Sequence, residues 1–347
     1  MTDSKTLKQI CSKRIIILDG AYGTSIQALG LTENDFRGSR FSQHPCNLAG
    51  NYDLLNFTVP DAIKTIHNAY LEAGVDIIKT NTFSGTSIAQ ADYQTQELSY
   101  EINFSGASIA RACADAMSAK TPDKPRFVAG SMGPTNKSLS ISPDIDNPAF
   151  RSLTFDEMAD SYAKAAHGLV DGGADVILLE TIFDTLNAKA AISGLFSIFK
   201  KLGKSLPVII SGTIADASGR ILSGQTIEAF LYSIEHANPF AVGFNCALGA
   251  KDLVRHVETL SAISPFPLSV HPNAGLPDEM GHYNDTPEIM AAILGRCAKD
   301  GLVNIVGGCC GTTPAHIKAV AQAVEGVLPR KPRSVAQLQR LPDLSLL

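Results

Sequence analysis

Short apolar segments alternate with longer segments of helical spacing along almost the whole chain, eight times in succession. The apolar segments are rich in β-branched residues and short, as buried parallel strands are, whereas the intervening segments repeat apolar residues every three or four positions. The predicted strands cover residues 14–18, 75–80, 126–131, 175–180, 207–213, 240–245, 267–271 and 302–306. The clearest predicted helices cover residues 60–72, 155–170, 226–237, 251–263, 287–299 and 314–324.

Eight consecutive βα units predict an α/β fold, specifically a (β/α)₈ TIM barrel, because right-handed crossovers between parallel strands can close into this architecture. An open, doubly wound sheet is the alternative that strand counting leaves. We assign residues 1–328 to the barrel and 329–347, which begin with a stretch of proline and basic residues, to a linker or tail. Segments 32–59 and 135–154 are predicted as long loops after strands one and three.

Glycines stand where two predicted helices meet the following strand. Gly74 precedes the second strand, and Gly172 and Gly173 precede the fourth. Glycine is the residue that most often follows the last turn of a helix. The two segments therefore look like copies of one repeated unit.

The charge balance and the cysteine content narrow the function classes. The chain has 29 basic and 34 acidic side chains, a formal net charge of −5, which argues against binding to nucleic acid or to an anionic membrane. The apolar run at residues 15–18 is too short for an export signal or a membrane span. Seven cysteines, an odd number, indicate reduced thiols. We therefore expect a cytoplasmic protein.

Three of the cysteines stand at predicted strand ends. Cys246 ends strand six, and Cys309 and Cys310 follow strand eight within Gly-Gly-Cys-Cys-Gly. In a barrel these ends lie at one face, separated by a single strand, so the three thiols can converge. Three thiolates on zinc would leave the fourth tetrahedral position open, as in catalytic sites. The alternative is that each cysteine is a small buried hydrophobe, and we expect this of the other four.

Two acidic residues also follow apolar strands. Asp19 ends strand one and precedes Gly20 and Ala21, whose backbone N–H groups suit a carboxylate or phosphate, while Glu180 ends strand four. The two acids and the free N–H groups together predict a clamp for the ammonium and carboxylate groups of an amino acid. We expect His271, which ends strand seven, to make a backbone hydrogen bond rather than bind metal.

These residues resemble the homocysteine S-methyltransferase family, and more closely the N-terminal homocysteine-binding module of cobalamin-dependent methionine synthase. The resemblance covers the chain to about residue 328. It rests on Asp19-Gly20, Glu180, Asn245-Cys246 and Gly307-Gly308-Cys309-Cys310-Gly311, and on the segments 80–83, 133–136, 140–144, 183–187 and 271–275.

The resemblance implies a zinc ion held by Cys246, Cys309 and Cys310, with homocysteine held by Asp19, Glu180 and the N–H groups near Gly20 and Ala21. Asn273 matches a position that caps the metal when substrate is absent. The methyl donor implied is methylcobalamin. Cobalamin-binding and folate-binding modules would be supplied by the rest of a longer protein or by separate chains, since the chain is too short to hold them and lacks an Asp-x-His-x-x-Gly cobalamin motif.

Three alternatives stay open at this point. The same zinc site could use a donor such as S-methylmethionine and need no cobalamin. A phosphate-binding TIM-barrel enzyme would grip phosphate with Gly307 and Gly308. A non-catalytic homocysteine-binding module would need its missing domains for turnover.

Overall fold

Within residues 4–216 and 218–333, which the computed structural model describes, eight parallel strands form one sheet. The strands are β1 Ile16–Ile17, β2 Ile77–Lys79, β3 Phe127–Met132, β4 Val176–Ile182, β5 Val208–Gly212, β6 Ala241–Gly249, β7 Leu268–Asn273 and β8 Ile305–Val306. Each strand pairs with its neighbours in sequence, and β1 pairs with β8. A parallel bridge between Leu18 and Ile77 joins β1 to β2 and closes the ring. The predicted (β/α)₈ TIM barrel is confirmed.

Helices alternate with the strands, and the longer helices that follow the strands cover the outside of the barrel. They are α1 Ser4–Lys13, α2 Gly23–Gln27, α3 Glu33–Arg37, α4 Leu55–Thr58, α5 Pro60–Glu72, α6 Ser87–Gln90, α7 Ser99–Lys120, α8 Phe155–Asp171, α9 Thr185–Leu202, α10 Ile227–Ile234, α11 Ala250–Ile263, α12 Pro287–Lys299 and α13 Pro314–Ala323. In the part of the chain that the structure describes, none of them combines the length and apolar character needed to cross a membrane.

The observed helix limits agree closely with the predicted ones where a residue in the first turn marks the start of the helix. Helices α5 and α12 begin and end at the predicted residues, and each has proline in its first turn. The predicted loop 32–59 is only partly a loop, because it contains α3, α4 and a 3₁₀ turn. The predicted loop 135–154 contains no helix or strand, as expected.

The barrel interior is apolar at the bottom and polar at the top. Alternate strand residues form a buried apolar cluster inside the ring, including Ile77, Ala129 and Leu178. Two residues further along four of these strands, and four further along β6, the inward positions become polar; they are Lys79, Ser131, Glu180, Ser211 and Asn245. A polar layer therefore lies at the carboxyl ends of the strands.

Helix α1 closes the opposite end of the barrel. Its Leu7 and Cys11 pack against the interior cluster, and both are buried. Burial of these apolar groups also explains why Cys11 is a packing residue, as predicted; Cys113 and Cys297 are buried too. Cys46 is half-buried and its thiol donates to the Tyr93 carbonyl at 3.1 Å.

The repeated unit at β2 and β4 is built in the same way twice. Gly74 and Gly173 follow α5 and α8 with φ of +95° and +97°, a conformation that favours glycine. Two residues later, Asp76 accepts a hydrogen bond from the Ile17 N–H at 2.9 Å, and Asp175 accepts one from the Val128 N–H at 2.8 Å. Each aspartate thus ties its strand to the start of the preceding one, and each is paired with an arginine.

Most of the predicted linker 329–347 lies outside the described residues and stays a prediction. Arg330, near its start, is buried against the bottom of the barrel. Its guanidinium donates to the carbonyl groups of Phe266, Ser261 and Ser264, and its N–H donates to the Val303 carbonyl. The packed chain therefore extends at least to Arg330.

Candidate metal centre

Three cysteines from two parts of the chain meet at the top of the barrel. Cys246 lies near the end of β6, and Cys309 and Cys310 lie in the turn between β8 and α13. Their sulfur atoms all lie within 4.8 Å of one another, and Cys246 Sγ is 3.7 Å from Cys310 Sγ. All three residues are half-buried, so the cluster is open to a ligand from the loop side.

The sulfur positions fit a zinc ion. Zinc binds thiolate sulfur at about 2.3 Å, so the sulfur atoms of a tetrahedral site lie about 3.8 Å apart. The Cys246–Cys310 distance of 3.7 Å has this length. Thiolate is also a ligand that selects soft or borderline metals such as zinc rather than magnesium or calcium. The donor set therefore suits a zinc site with three protein ligands and one open position.

The backbone of β6 turns sharply to present Cys246. Cys246 and Ala247 have φ of +62° and +56°, and the pairing of β6 with β7 shifts register between Asn245 and Gly249. Left-handed conformations cost a non-glycine residue roughly 1–2 kcal/mol. Neighbouring contacts must offset this cost, because the turn would otherwise relax into extended strand.

Asn245 supplies such contacts. It is completely buried, and its Oδ1 accepts from the Thr181 N–H at 2.9 Å and from Ser211 Oγ at 2.7 Å. Its Nδ2 donates to Thr181 Oγ1 at 2.7 Å and lies 3.9 Å from Cys309 Sγ. Asn245 therefore links the end of β4 to the metal cluster.

The Cys309–Cys310 turn is fixed to the end of β7. The Cys309 N–H donates to the Pro272 carbonyl at 2.8 Å, and the Cys310 N–H donates to Asn273 Oδ1 at 3.1 Å. Thr312 Oγ1 donates to the Cys309 carbonyl at 2.7 Å. Asn273 thus lies at the cluster, where its side-chain oxygen holds the turn; its role as a metal cap stays a prediction.

Tyr283, from the loop after β7, packs over the same turn. Gly311 has φ of +76°, and a side chain there would collide with Tyr283. Hydrogen bonds from Cys246, Cys309 and Tyr283 lower the pKa of Cys310 to about 3, whereas hydrogen bonding to its neighbours raises the pKa of Cys246. Hydrogen bonds within the cluster therefore favour the thiolate form of Cys310.

A pair of buried carboxylates lies beside the cluster. Asp19 follows β1 and Glu180 lies in β4, and each has one oxygen held by hydrogen bonds and one facing the amine of Lys79. Lys79 Nζ is 3.7 Å from Asp19 Oδ1 and 4.0 Å from Glu180 Oε2. Asp19 Oδ1 has no hydrogen-bond partner within residues 4–216 and 218–333, so it is available to a ligand. We call Asp19 and Glu180 the carboxylate clamp.

Burial dominates the ionisation of the clamp. It raises the pKa of Asp19 to about 6, against the opposing effect of the Lys79 ammonium. It likewise raises the pKa of Glu180, which Lys79 opposes again. Burial lowers the pKa of Lys79 itself, but the Glu180 and Asp19 carboxylates outweigh this and raise it. The Lys79 ammonium therefore favours the ionised form of both carboxylates.

The held oxygen of each carboxylate has partners that fix its direction. Asp19 Oδ2 accepts from the Lys79 N–H at 2.8 Å and from the Tyr22 hydroxyl at 2.9 Å. Tyr22 Oη is also 2.6 Å from His67 Nδ1, so His67 orients the tyrosine. Ser131 Oγ donates to Glu180 Oε1.

The expected carboxylate-binding N–H groups near Asp19 are partly occupied. The Ala21 N–H donates to Thr312 Oγ1 at 3.1 Å, so a ligand could use it only after Thr312 turned away. Gly20 is required by packing, because a Cβ there would lie 2.5 Å from Thr312 Oγ1 and 2.7 Å from Tyr70 Oη. Their role in binding a carboxylate stays a prediction.

The structure gives no support to two other expectations for this face. The Gly307 and Gly308 N–H groups donate to the Val270 and Asp19 carbonyls at 3.1 and 3.0 Å, so they are not free to bind phosphate. His271 does not make the expected backbone hydrogen bond: its Nε2 is 2.6 Å from Ser269 Oγ, and its Nδ1 has no partner in the described part of the chain. The inward direction of both side chains on β7 explains the difference.

Sequence reasoning missed Lys79, Tyr283 and Ser131. A lysine at an inward position of the apolar strand Ile77–Lys79 is a signal that could have identified Lys79, because an inward charge is costly without partners. Tyr283 carried no comparable signal, since its contact with the cluster depends on the path of a loop.

The chain is similar to known proteins in sequence and in fold. The sequence model described as homocysteine S-methyltransferase matches residues 16–324. The fold is similar to that of the homocysteine methyltransferase MmuM from Escherichia coli. Its oxidized form gives a TM-score of 0.68 at 22% identity, over 89% of this chain and 95% of that chain. Its metallated form gives 0.67 at 22% identity, over 90% and 98%. At this identity the likeness concerns the fold.

Proposed function

Since the chain belongs to the homocysteine S-methyltransferase family, we propose that it methylates the sulfur of homocysteine at a zinc ion held by Cys246, Cys309 and Cys310. The observation that carries this proposal is the cluster of three thiols beside a carboxylate clamp. One group suits a metal that binds sulfur, and the other suits an ammonium group. Homocysteine carries a thiol and an α-ammonium group on one short chain.

The turn containing Gly308 connects the two halves of the site. Its N–H donates to the Asp19 carbonyl at 3.0 Å, and its carbonyl accepts from Lys79 Nζ at 3.5 Å. The next residue is Cys309. The clamp and the sulfur ligands are therefore positioned by the same backbone, which supports the binding of one small molecule across both.

In the proposed reaction the clamp holds the α-ammonium group and directs the thiol toward the cluster. Zinc bound there would keep the homocysteine sulfur as a thiolate at neutral pH, where a free thiol of pKa about 8.5 is only about 3% ionised. The sulfur then forms a bond to the methyl carbon, while the bond between that carbon and its carrier breaks and the carrier keeps the electron pair. Tyr283 covers the cluster beside Cys310 and limits the access of water.

The donor that we propose is methylcobalamin, carried by another module or protein together with a folate-binding module. Large apolar side chains are exposed on the loops that follow strands at this face; they include Ile145 (95% exposed), Met280 (79%), Leu222 (60%) and Leu276 (54%). Exposed apolar groups around a site are typical of a surface that another macromolecule covers. A small sulfonium donor would not require them. The cytoplasmic location stays a prediction.

The zinc assignment is tested with the variant Cys309→Ser and the matched control Cys46→Ser, whose hydroxyl can still donate to the Tyr93 carbonyl. We expect Cys309→Ser to lose zinc and methionine formation, and Cys46→Ser to keep both. Retention of zinc and of full methyl transfer in Cys309→Ser would refute the assignment.

The donor is tested by incubating the zinc-loaded chain with homocysteine and either methylcobalamin or S-methylmethionine. Methionine formed from methylcobalamin alone is the expected result. Turnover of S-methylmethionine alone would refute methylcobalamin as the donor and would favour a small donor without a partner protein. The proposed zinc site would not be affected by this result.

A further inference from the structure

Lys79 is a charged group beside the clamp to which the proposed methyl transfer gives no role. It is 5% exposed, and its amine lies under the free oxygens of Asp19 and Glu180 at 3.7 and 4.0 Å. These distances are too long for strong hydrogen bonds. The amine therefore supplies charge to the clamp without occupying the oxygen atoms that a ligand would use.

When all three groups are ionised, their charges add to −1, from two carboxylates and one ammonium. In a buried site, two carboxylates without a counter-charge cannot both stay ionised, and one of them takes up a proton. One added ammonium group makes the set of buried charges neutral. A second cation would leave an excess positive charge in the interior, which is costly.

We propose that Lys79 sets the charge of the carboxylate clamp. The empty clamp is then fully ionised, and it accepts a single ammonium group without releasing a proton. This inference rests on the proposed function, because it takes the α-ammonium group of homocysteine as the ligand. Lys79 is a positioning residue in this scheme, since it acts through Asp19 and Glu180.

Other titratable groups face the clamp and do not account for a proton exchange there. Burial raises the pKa of Tyr22 and Tyr70 and lowers that of His271 to about 3, so all three are neutral near pH 7. Cys309 would be a zinc ligand in wild type and in each variant, so it would not contribute to a difference in proton release between them. A change in proton release on substitution of Lys79 therefore reports on Asp19 and Glu180.

The test is homocysteine binding to the zinc-loaded full chain, followed by titration calorimetry near pH 7 in buffers of different ionisation enthalpy. Wild type should release about one proton per homocysteine, from the thiol. Lys79→Met should release about two, because the clamp must also give up its proton to the entering ammonium group. The surface variant Lys201→Met is the control and should behave as wild type.

A second ligand and a second variant separate this role from a merely structural one. The thiol acid 4-mercaptobutanoate lacks the ammonium group, so it should release about one proton from both wild type and Lys79→Met. In the double variant Lys79→Met/Glu180→Gln the buried Asp19 has lost its counter-charge, and Lys79 lowers the pKa of Asp19 more than Glu180 raises it. This variant should therefore also release more than one proton with homocysteine. If Lys79→Met alone does not fold, the double variant decides, and its failure to fold would count against the inference.

The outcomes also distinguish this inference from the proposed function. Wild-type chain that does not bind homocysteine would contradict the proposed function. If wild type binds homocysteine with release of the thiol proton, and Lys79→Met releases the same number of protons, only the proposed role of Lys79 is overturned.

Discussion

Asn245 and Thr181 exchange two hydrogen bonds across the top of the barrel. The amide of Asn245 donates to Thr181 Oγ1 at 2.7 Å, and the Thr181 N–H donates back to Asn245 Oδ1 at 2.9 Å. Thr181 has φ of +60°, and the residue after Asn245 has φ of +62°. The pair therefore joins two turns in unfavourable conformations, one next to Glu180 and the other at Cys246, and couples the carboxylate clamp to the metal cluster.

Substitution of Asn245 should weaken metal binding without removing a ligand. In Asn245→Ala the turn at Cys246 loses its support, and residues that orient metal ligands typically change metal affinity by roughly 10- to 100-fold. We expect a zinc affinity reduced by this amount, measured by competition with a chromogenic chelator. Asn34→Ala, on the exposed face of α3, is the control. An unchanged affinity in Asn245→Ala would show that the turn is stable on its own.

Neutralising the clamp should weaken homocysteine binding more than turnover. Glu180→Gln and Asp19→Asn keep the shape of each side chain but lose a charged hydrogen bond, worth roughly 1.5–3 kcal/mol. The KM for homocysteine should rise roughly 10- to 150-fold, with zinc content unchanged. The exposed acid Glu235, as Glu235→Gln, should have no effect. A fall in kcat at unchanged KM would place these residues in the transfer step instead.

Asp53 should make stability depend on pH. Burial raises its pKa in the folded chain to about 7, against about 3.9 in the unfolded chain. The folded state therefore holds the proton more tightly, and the stability this provides is complete below about pH 4 and is lost as pH rises to about 7.

Asp53→Asn should remove that loss, because the amide is neutral and its oxygen can still accept from the Ser84 N–H. Relative to wild type, the variant should gain stability between about pH 4 and pH 7, by at most about 4 kcal/mol. Thermal unfolding across this range measures it, with the exposed Asp123→Asn as the control. A constant difference between variant and wild type would contradict the assigned pKa.

Ala247→Gly should stabilise the chain. The residue is exposed and has φ of +56°, so glycine removes the cost of a left-handed alanine and little packing is lost. The free energy of unfolding in urea should rise by about 0.5–1 kcal/mol. The opposite sign is expected for Ala116→Gly on the exposed face of α7, where glycine costs about 1 kcal/mol. Destabilisation by Ala247→Gly would show that the methyl group makes a contact of its own.

The barrel could be predicted because its signals are local. Proline at the start of α5 and α12 and glycine after α5 and α8 mark helix ends whatever the rest of the chain does. The limits of β1 and β8 could not be predicted, since strand length depends on pairing with neighbours that the sequence does not identify. Helix α7 is rich in alanine and serine, so its apolar period is weak.

The site could be predicted in part for a similar reason. Cysteines and acids at strand ends are visible in the sequence, and a barrel brings strand ends together. The inward direction of Lys79 depends on strand register, and the position of Tyr283 depends on the loop after β7. The use of the Ala21 N–H by Thr312 is a contact between the first and last βα units, which no local pattern contains.

The paired aspartates at the starts of β2 and β4 have a consequence for how such a chain can change. Asp76 and Asp175 tie neighbouring strands together at the bottom of the barrel, whereas the thiols and the clamp occupy the top. Folding and chemistry therefore draw on separate ends of the molecule. Loops at the top of the barrel can therefore change, and the methyl donor can change with them, while the hydrogen bonds of Asp76 and Asp175 still hold the strands together.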